Sequence, residues 1–284
     1  MTDTDVFLLG GDLPVRRIGY GAMRLSGAPH ERSGMTAPIW TAPTDRAESI
    51  ALLRTAVERG VNFFDTADAY ALGESEELLA EALRPYGDEV AVATKGGVLR
   101  PGPAEWVTHG HPAYLRQQAE LSLRRLRTDR IDLFQLHRID PEYPLADQVG
   151  ALKQLQDEGK VRHIGLSEVT VAEVEEASKT ATIASVQNLY NLADRTHEPV
   201  IDHTAAHGIA FLPYFPVTVG DAAPRLAALA AESGTTVSQL ALAWLLHRAP
   251  NVVPIPGTSS PVHLAENIGA LRLRLTEEQF TRIG

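Results

Sequence analysis

Asp65, Tyr70, Lys95 and His137 have the residue types and the spacing that carbonyl chemistry asks for. Each stands at or just past the end of a short apolar run that reads as a strand: 61–65, with Tyr70 in the turn that follows, then 89–95 and 131–137. An ionisable group at the C-terminal end of successive parallel strands is where a (β/α)8 barrel keeps its reacting groups. The four side chains form a coherent set. A phenol is an acid with a pKa of about 10, a neighbouring ammonium favours its phenolate and draws that value down, a carboxylate holds the ammonium, and an imidazole can orient a carbonyl oxygen. Lysine is scarce here (Lys95, Lys153, Lys160 and Lys179 only), so its appearance at a strand end is not a by-product of composition.

The elements that would position these groups follow one another regularly. After a hairpin expected around 7–11, the run 15–20 reads as the first barrel strand. Asp45 with Glu48 three residues on starts a helix to about Arg59, stopped by Gly60. Ser75 is expected to cap the next, which ends near Pro85 and Gly87. Helices follow over 112–126, 144–157, 171–178, 197–206 and 236–247, with strands at 161–166, 183–187, 209–214 and 252–255. Eight strands with a helix between each neighbouring pair predict an α/β fold, a single (β/α)8 TIM barrel spanning 1–284 as one domain. Two long loops, 25–44 and 98–112, follow strand ends and should face the catalytic side; each carries one Trp (Trp40, Trp106).

Composition narrows the function. The 284 residues carry a formal charge of −10, which argues against a nucleic-acid or anionic-membrane surface. The chain has no cysteine, which excludes disulfides and thiolate chemistry, and its histidines suggest no metal site. No membrane-length apolar run and no signal-peptide core is seen, so a cytoplasmic protein is expected, and nothing in the sequence demands more than a monomer or weak homo-oligomer. Neither a G-x-G-x-x-G fingerprint nor a P-loop occurs, so a dinucleotide would need another phosphate site. Barrels place one after strands 7 and 8, here 217–221 and 257–260, the latter opening a helix over 261–270.

Seven motifs in order resemble the aldo-keto reductase family over nearly the whole chain: Ile18-Gly19-Tyr20-Gly21-Ala22-Met23, Asp65-Thr66-Ala67-Asp68-Ala69-Tyr70, Thr94-Lys95-Gly96-Gly97, Asp132-Leu133-Phe134-Gln135-Leu136-His137, Ile164-Gly165-Leu166-Ser167, Gln187-Asn188-Leu189-Tyr190 and Ile255-Pro256-Gly257-Thr258-Ser259-Ser260. Within it, Pro213-Tyr214-Phe215-Pro216 and the 257–260 loop are similar to a bacterial branch that includes pyridoxal reductases. The resemblance implies that Asp65, Tyr70, Lys95 and His137 are catalytic, with Tyr70 as the acid. It implies a cofactor site of Gly21, Ala22, Met23, Ser167, Gln187, Tyr214, Gly257, Thr258, Ser259, Ser260, His263, Glu266 and Asn267. Ser167 and Gln187 would hold the nicotinamide carboxamide, Tyr214 would stack on its ring, and Glu266 and Asn267 would meet the adenine end.

The pattern is broken at four places. Glu168 stands where Asn usually follows the Ser, and Phe215 where many members have Ser. Gly257 and His263 replace a Lys and an Arg that grip the 2′-phosphate, leaving Thr258, Ser259, Ser260 and His263 to favour NADP(H) over NAD(H). The expected reaction is reduction of small aldehydes or ketones in a fairly open site bordered by the two long loops, Met23, Arg24 and Arg138. Two rival readings use the same barrel: a Schiff-base lyase with Lys95 as nucleophile, or a cofactor-sensing subunit with little catalysis.

Overall fold

Two chain segments, residues 5–26 and 39–284, are described in the computed structural model. Of the loop expected over 25–44, positions 27–38 lie outside them. Strands β1 (Val6–Leu9) and β2 (Leu13–Arg16) form an antiparallel hairpin. Its turn runs through Gly10 and Gly11 at φ 62° and 87°, a left-handed pair that side-chain-bearing residues enter only at a cost. Next come β3 (Tyr20–Gly21), α1 (Arg46–Glu58), β4 (Phe63–Asp65), α2 (Glu74–Leu83), β5 (Ala91–Gly96), β6 (Val98–Leu99), β7 (Val107–Thr108) and α3 (Pro112–Leu126). Then follow β8 (Ile131–Leu136), α4 (Leu145–Asp157), β9 (Val161–Ser167), α5 (Val171–Ser178), β10 (Ile183–Gln187), α6 (Glu198–Ala206) and β11 (Ala210–Phe211). The chain ends in α7 (Ala223–Ser233), α8 (Val237–Arg248), α9 (Pro261–Gly269) and α10 (Glu277–Ile283). None of the helices among the described residues is long and apolar enough to cross a membrane.

Seven strands make one parallel sheet in the order β11-β10-β9-β8-β5-β4-β3. Segment 252–256 closes it. Val252 bridges Phe211 in parallel and the Val253 amide donates to the Phe211 carbonyl at 2.8 Å. On the other side the Gly19 amide reaches the Pro254 carbonyl at 2.9 Å, and Gly21 reaches Pro256 at 3.4 Å. The result is a (β/α)8 barrel whose seam joins its first and last strands. Gly21 and Gly257 allow that closeness, because a Cβ on Gly21 would lie 2.6 Å from the Ile255 carbonyl oxygen and one on Gly257 equally near that of Gly21.

Strand alternation sorts the apolar residues into two layers. Leu9, Leu13 and Val15 from the hairpin join Phe63, Ala91, Ala93, Leu133, Ala184, Ala210, Leu212, Val253 and Ile255 to fill the barrel interior. The opposite faces, with Phe64, Phe134, Leu136, Ile164 and Val186, pack under the helices.

The structure corrects the expected elements in several places. The first barrel strand is Tyr20–Gly21 rather than 15–20, because Leu13 and Val15 are needed in the plug that closes the lower mouth. Gly73, not Ser75, precedes α2; the Ser75 hydroxyl instead meets the Thr66 hydroxyl at 2.8 Å. The stretch 98–112 is no irregular loop, since β6 and β7 pair as a hairpin that carries Trp106 on its return. A further helix, α7, stands before α8.

Candidate active site

Period-two alternation explains why one carboxylate, one ammonium and two amides converge inside the barrel. Asp65 points the same way as Phe63, Lys95 as Ala93, and Gln135 as Leu133. Lys95 is paired in register with Gln135, and Asp65 with Ala93. The Lys95 ammonium donates to Asp65 Oδ2 at 2.7 Å, to the Thr66 carbonyl at 2.8 Å and, at the limit of a hydrogen bond, to the Tyr70 hydroxyl at 3.5 Å. Asp65 Oδ1 accepts from Gln187 Nε2 at 2.8 Å and Gln135 Nε2 at 3.2 Å. Every donor of the lysine and both carboxylate oxygens are therefore used within the protein.

Tyr70 comes from a turn. The residues after it, Ala71 and Leu72, take left-handed φ values of 48° and 53°, and Gly73 follows at 96°. Such a conformation costs about 1–3 kcal/mol for each side-chain-bearing residue, and the surrounding bonds must enforce it. The Tyr70 amide donates to the Ala67 carbonyl and the Ala71 amide to Ile39. The phenol packs with Ile39 and Ala67, against Met23 and Trp106. His137 lies edge-on to Tyr70 and to Trp106, with ring centroids 6.0 and 6.1 Å apart. The guanidinium of Arg100 lies 3.8 Å from the centre of the Trp106 ring and 5.4 Å from that of Trp40, with its N–H groups on the Glu105, Ile39, Ala69 and Pro103 carbonyls. It fixes the Trp106 hairpin to the barrel.

Burial and charge set the proton states. Burial raises the Tyr70 pKa; Lys95 pulls it back and Asp65 pushes it further up, and the net direction is upward. The expectation that Lys95 would leave the phenol below its ordinary value is thus reversed. Burial lowers Lys95, but Asp65 and Tyr70 outweigh it, so the ammonium is held charged. For His137, burial together with Lys95, Arg138 and Arg100 pushes the imidazole well below its usual range, so it is neutral. His137 Nδ1 and Trp106 Nε1 are buried with no hydrogen-bond partner among the described residues. Buried polar atoms in that condition are uncommon and call for a ligand or solvent partner.

These groups line a cavity of about 690 Å³ at the C-terminal mouth of the barrel. Of the residues expected to hold a cofactor, Gly21, Met23, Ser167, Gln187, Tyr214 and Gly257 line it with Asp65, Tyr70 and His137. Lys95 is buried behind that wall, and Ala22 is buried too. Thr258, Ser259, Ser260, His263, Glu266 and Asn267 do not line the cavity but form the loop and first turns of α9 just beyond Gly257. There the Thr258 hydroxyl accepts from the Ser260 amide at 3.0 Å and the Ser260 hydroxyl from the His263 amide at 3.4 Å, while Asn267 is buried.

The structure adds residues that carried no role in the sequence reading. Gln135 grips Asp65, which its alternation with Leu133 would have disclosed. Thr108 and Leu189 line the cavity as well, and Val217 and Thr218 of the segment 217–221, expected to hold phosphate, join them there. Glu168 holds a left-handed φ of 57°. Its carboxylate turns to the Leu189 amide at 2.6 Å and faces His197 Nε2 at 3.7 Å, tying the 188–197 segment to the end of β9.

A barrel with this ring of groups at its C-terminal mouth matches one family model: residues 17–221 and 218–284 fit the aldo/keto reductase family. The chain belongs to that family and is an oxidoreductase. It is 44% identical over 276 residues to an uncharacterised oxidoreductase of Schizosaccharomyces pombe, a match covering 96% of this chain and 87% of the relative. It is 41% identical over 283 residues to the pyridoxine 4-dehydrogenase of Escherichia coli, covering 96% and 95%. Among solved structures, an aldo/keto reductase from Klebsiella pneumoniae in complex with NADP and acetate superposes with a TM-score of 0.80 at 28% identity, covering 98% of this chain and 94% of that one.

Proposed function

We propose that this protein reduces small aldehydes and ketones to alcohols with NADPH, with Tyr70 as the proton donor. The observation that carries the reading is the direction of the Lys95–Tyr70 contact. Lys95 donates to the phenol oxygen, so the phenol's own proton is left to be given away toward the cavity. With its pKa raised, Tyr70 keeps that proton through the neutral range and gives it up only as negative charge grows on a bound carbonyl oxygen. The Lys95 ammonium, fixed by Asp65, then stabilises the phenolate that remains. Neutral His137 orients the same oxygen from the other side. Gln135 and Gln187 hold Asp65 in place and so act through the lysine.

The residues present fit a nicotinamide dinucleotide. Ser167, Gln187 and Tyr214 line the cavity together with Gly21 and Gly257, and the hydroxyl-rich start of α9 supplies donors for phosphate. Arg24 joins that end: its guanidinium lies 5.7 Å from the centre of the Phe215 ring, and its Cγ fills the space above Gly257. NADP(H) is favoured over NAD(H), and the bound cofactor supplies the hydride. Ser167 accepts from Arg138 at 3.0 Å, which leaves its own proton to donate to a carboxamide. A Schiff-base role asks for a neutral lysine, whereas Lys95 is held charged.

The test is NADPH consumption over a panel of small aldehydes that includes pyridoxal, run beside Tyr70→Phe. The variant should lose roughly 10²–10⁴ in kcat while binding NADPH as before. Full activity in Tyr70→Phe would remove the proton-donor assignment. Tight NADPH binding without turnover of any aldehyde would point to a sensing subunit. Equal kcat/KM with NADPH and NADH would refute the 2′-phosphate preference.

A further inference from the structure

Arg100 and Arg138 both act on the reacting centre without a carboxylate partner among the described residues, and of the two Arg138 lines the cavity. It stands there directly after His137, half-buried, and its hydrogen bonds run to the His137 carbonyl and to the Ser167 hydroxyl, both neutral groups. Asp65 lines the same cavity but is committed to Lys95, Gln135 and Gln187. Glu168, next along the chain from Ser167, has turned to Leu189 and His197. Arg24 sits at the far end, over Phe215 and Gly257. A partly desolvated guanidinium with only neutral partners is a costly arrangement unless an anion completes it, and its planar fork fits a carboxylate with two parallel bonds. Its charge also depresses the pKa values of both Tyr70 and His137, which places it within electrostatic reach of both.

Resting on the reductase reading above, we propose that Arg138 reads an anionic group on the substrate, so that aldehydes and ketones bearing a carboxylate are preferred. Binding at Arg138 would set the carbonyl against Tyr70 and His137, using the part of the molecule that does not react to orient the part that does.

The experiment compares 4-carboxybenzaldehyde with 4-nitrobenzaldehyde, a neutral analogue that is also electron-poor, at saturating NADPH. Wild-type protein should favour the carboxylate roughly 10-fold in kcat/KM; Arg138→Gln should abolish that preference, losing roughly 10-fold more on the carboxylate than on the nitro compound, whose own loss reads the Arg138 bond to Ser167. Arg138→Lys, which keeps the charge without the fork, should retain part of the preference, and it serves if the Gln variant does not fold. Equal losses on both aldehydes, or no preference in the wild type, would overturn the proposal and leave Arg138 as a brace of the β8–β9 mouth. If the wild type reduces neither aldehyde, the reductase reading fails by itself. The anion site is then read by calorimetric binding of 4-(hydroxymethyl)benzoate to the protein with NADP: weaker binding in Arg138→Gln supports it, and unchanged or absent binding overturns it.

Discussion

The two mouths of the barrel bury charge in opposite ways. At the lower mouth Arg17 is almost wholly enclosed, yet its guanidinium donates to the carbonyls of Leu246, Ala249 and Val252, closing the end of α8 and the start of the last strand. Burial pulls its pKa down to about 10, which still leaves it charged at neutral pH. Beside it the β1–β2 hairpin plugs the interior with Leu9, Leu13 and Val15. At the upper mouth the charges are just as buried, and His137 Nδ1, Trp106 Nε1 and Asp68 Oδ1 have no hydrogen-bond partner among the described residues, against Asn251 Oδ1 at the lower mouth. One end uses buried charge to satisfy the backbone. The other uses it to set proton states, leaving stabilisation unrealised where a ligand can supply it.

The strongest challenge to this contrast is Lys95→Met. It should abolish reduction, by roughly 10³-fold or more, and cost about 3–5 kcal/mol of stability, because Asp65 is left charged and unpaired. Adding Asp65→Asn should recover most of the stability and none of the activity, read by chemical denaturation beside an aldehyde assay. Arg17→Met is the mirror experiment. It should lose about 3 kcal/mol by stranding carbonyls, while kcat/KM per folded molecule stays within about twofold of wild type. A comparable loss of activity would mean that the lower mouth is no mere support.

The pH profile sharpens the same point. With Tyr70 raised, the protonated and active form persists past neutrality, and kcat/KM for reduction should fall only above the ordinary phenol value of about 10. His137 is already neutral, so no step should appear near its usual value of about 6.5. A titration near neutral pH that disappears in a His137 variant would contradict this electrostatic account.

The smallest effect belongs to Asp68. Burial and the neighbouring Glu76 hold its pKa well above the carboxylate range. The folded protein therefore retains a proton that the unfolded chain releases, and stability declines as pH rises from the unfolded value of about 4 toward the folded one. Asp68→Asn should remove that decline and be more stable than wild type by roughly 1 kcal/mol at pH 8, and about equal to it near pH 4. Denaturation curves at the two pH values decide it.

Local pattern made much of this legible in the sequence. The apolar runs that end in Asp65, Lys95 and His137 told of strands, and alternation within them fixed which side chains turn inward. What escaped was decided by partners far along the chain. Val15 reads as barrel strand from its neighbours, but the open lower mouth recruits it as a plug. The Trp106 segment looks like an irregular loop because its pairing with Val98 and Leu99 spans few residues. The sign of the Tyr70 shift depends on how completely the phenol is enclosed, and that follows from Ile39, Met23 and Trp106 arriving from three separate segments.

The glycine-lined seam has a consequence for the order of assembly. It joins Gly19 and Gly21 to Pro254 and Pro256, residues separated by most of the chain, so neither edge has its partner until the ribosome has released nearly everything. Contacts of such sequence separation form late, after the loop-closure entropy has been met. Gly257 and the start of α9 lie on that last edge, so the end proposed to bind phosphate is completed together with the ring. A nascent chain would then gain nothing from the dinucleotide, and cofactor would stabilise only molecules that had already closed.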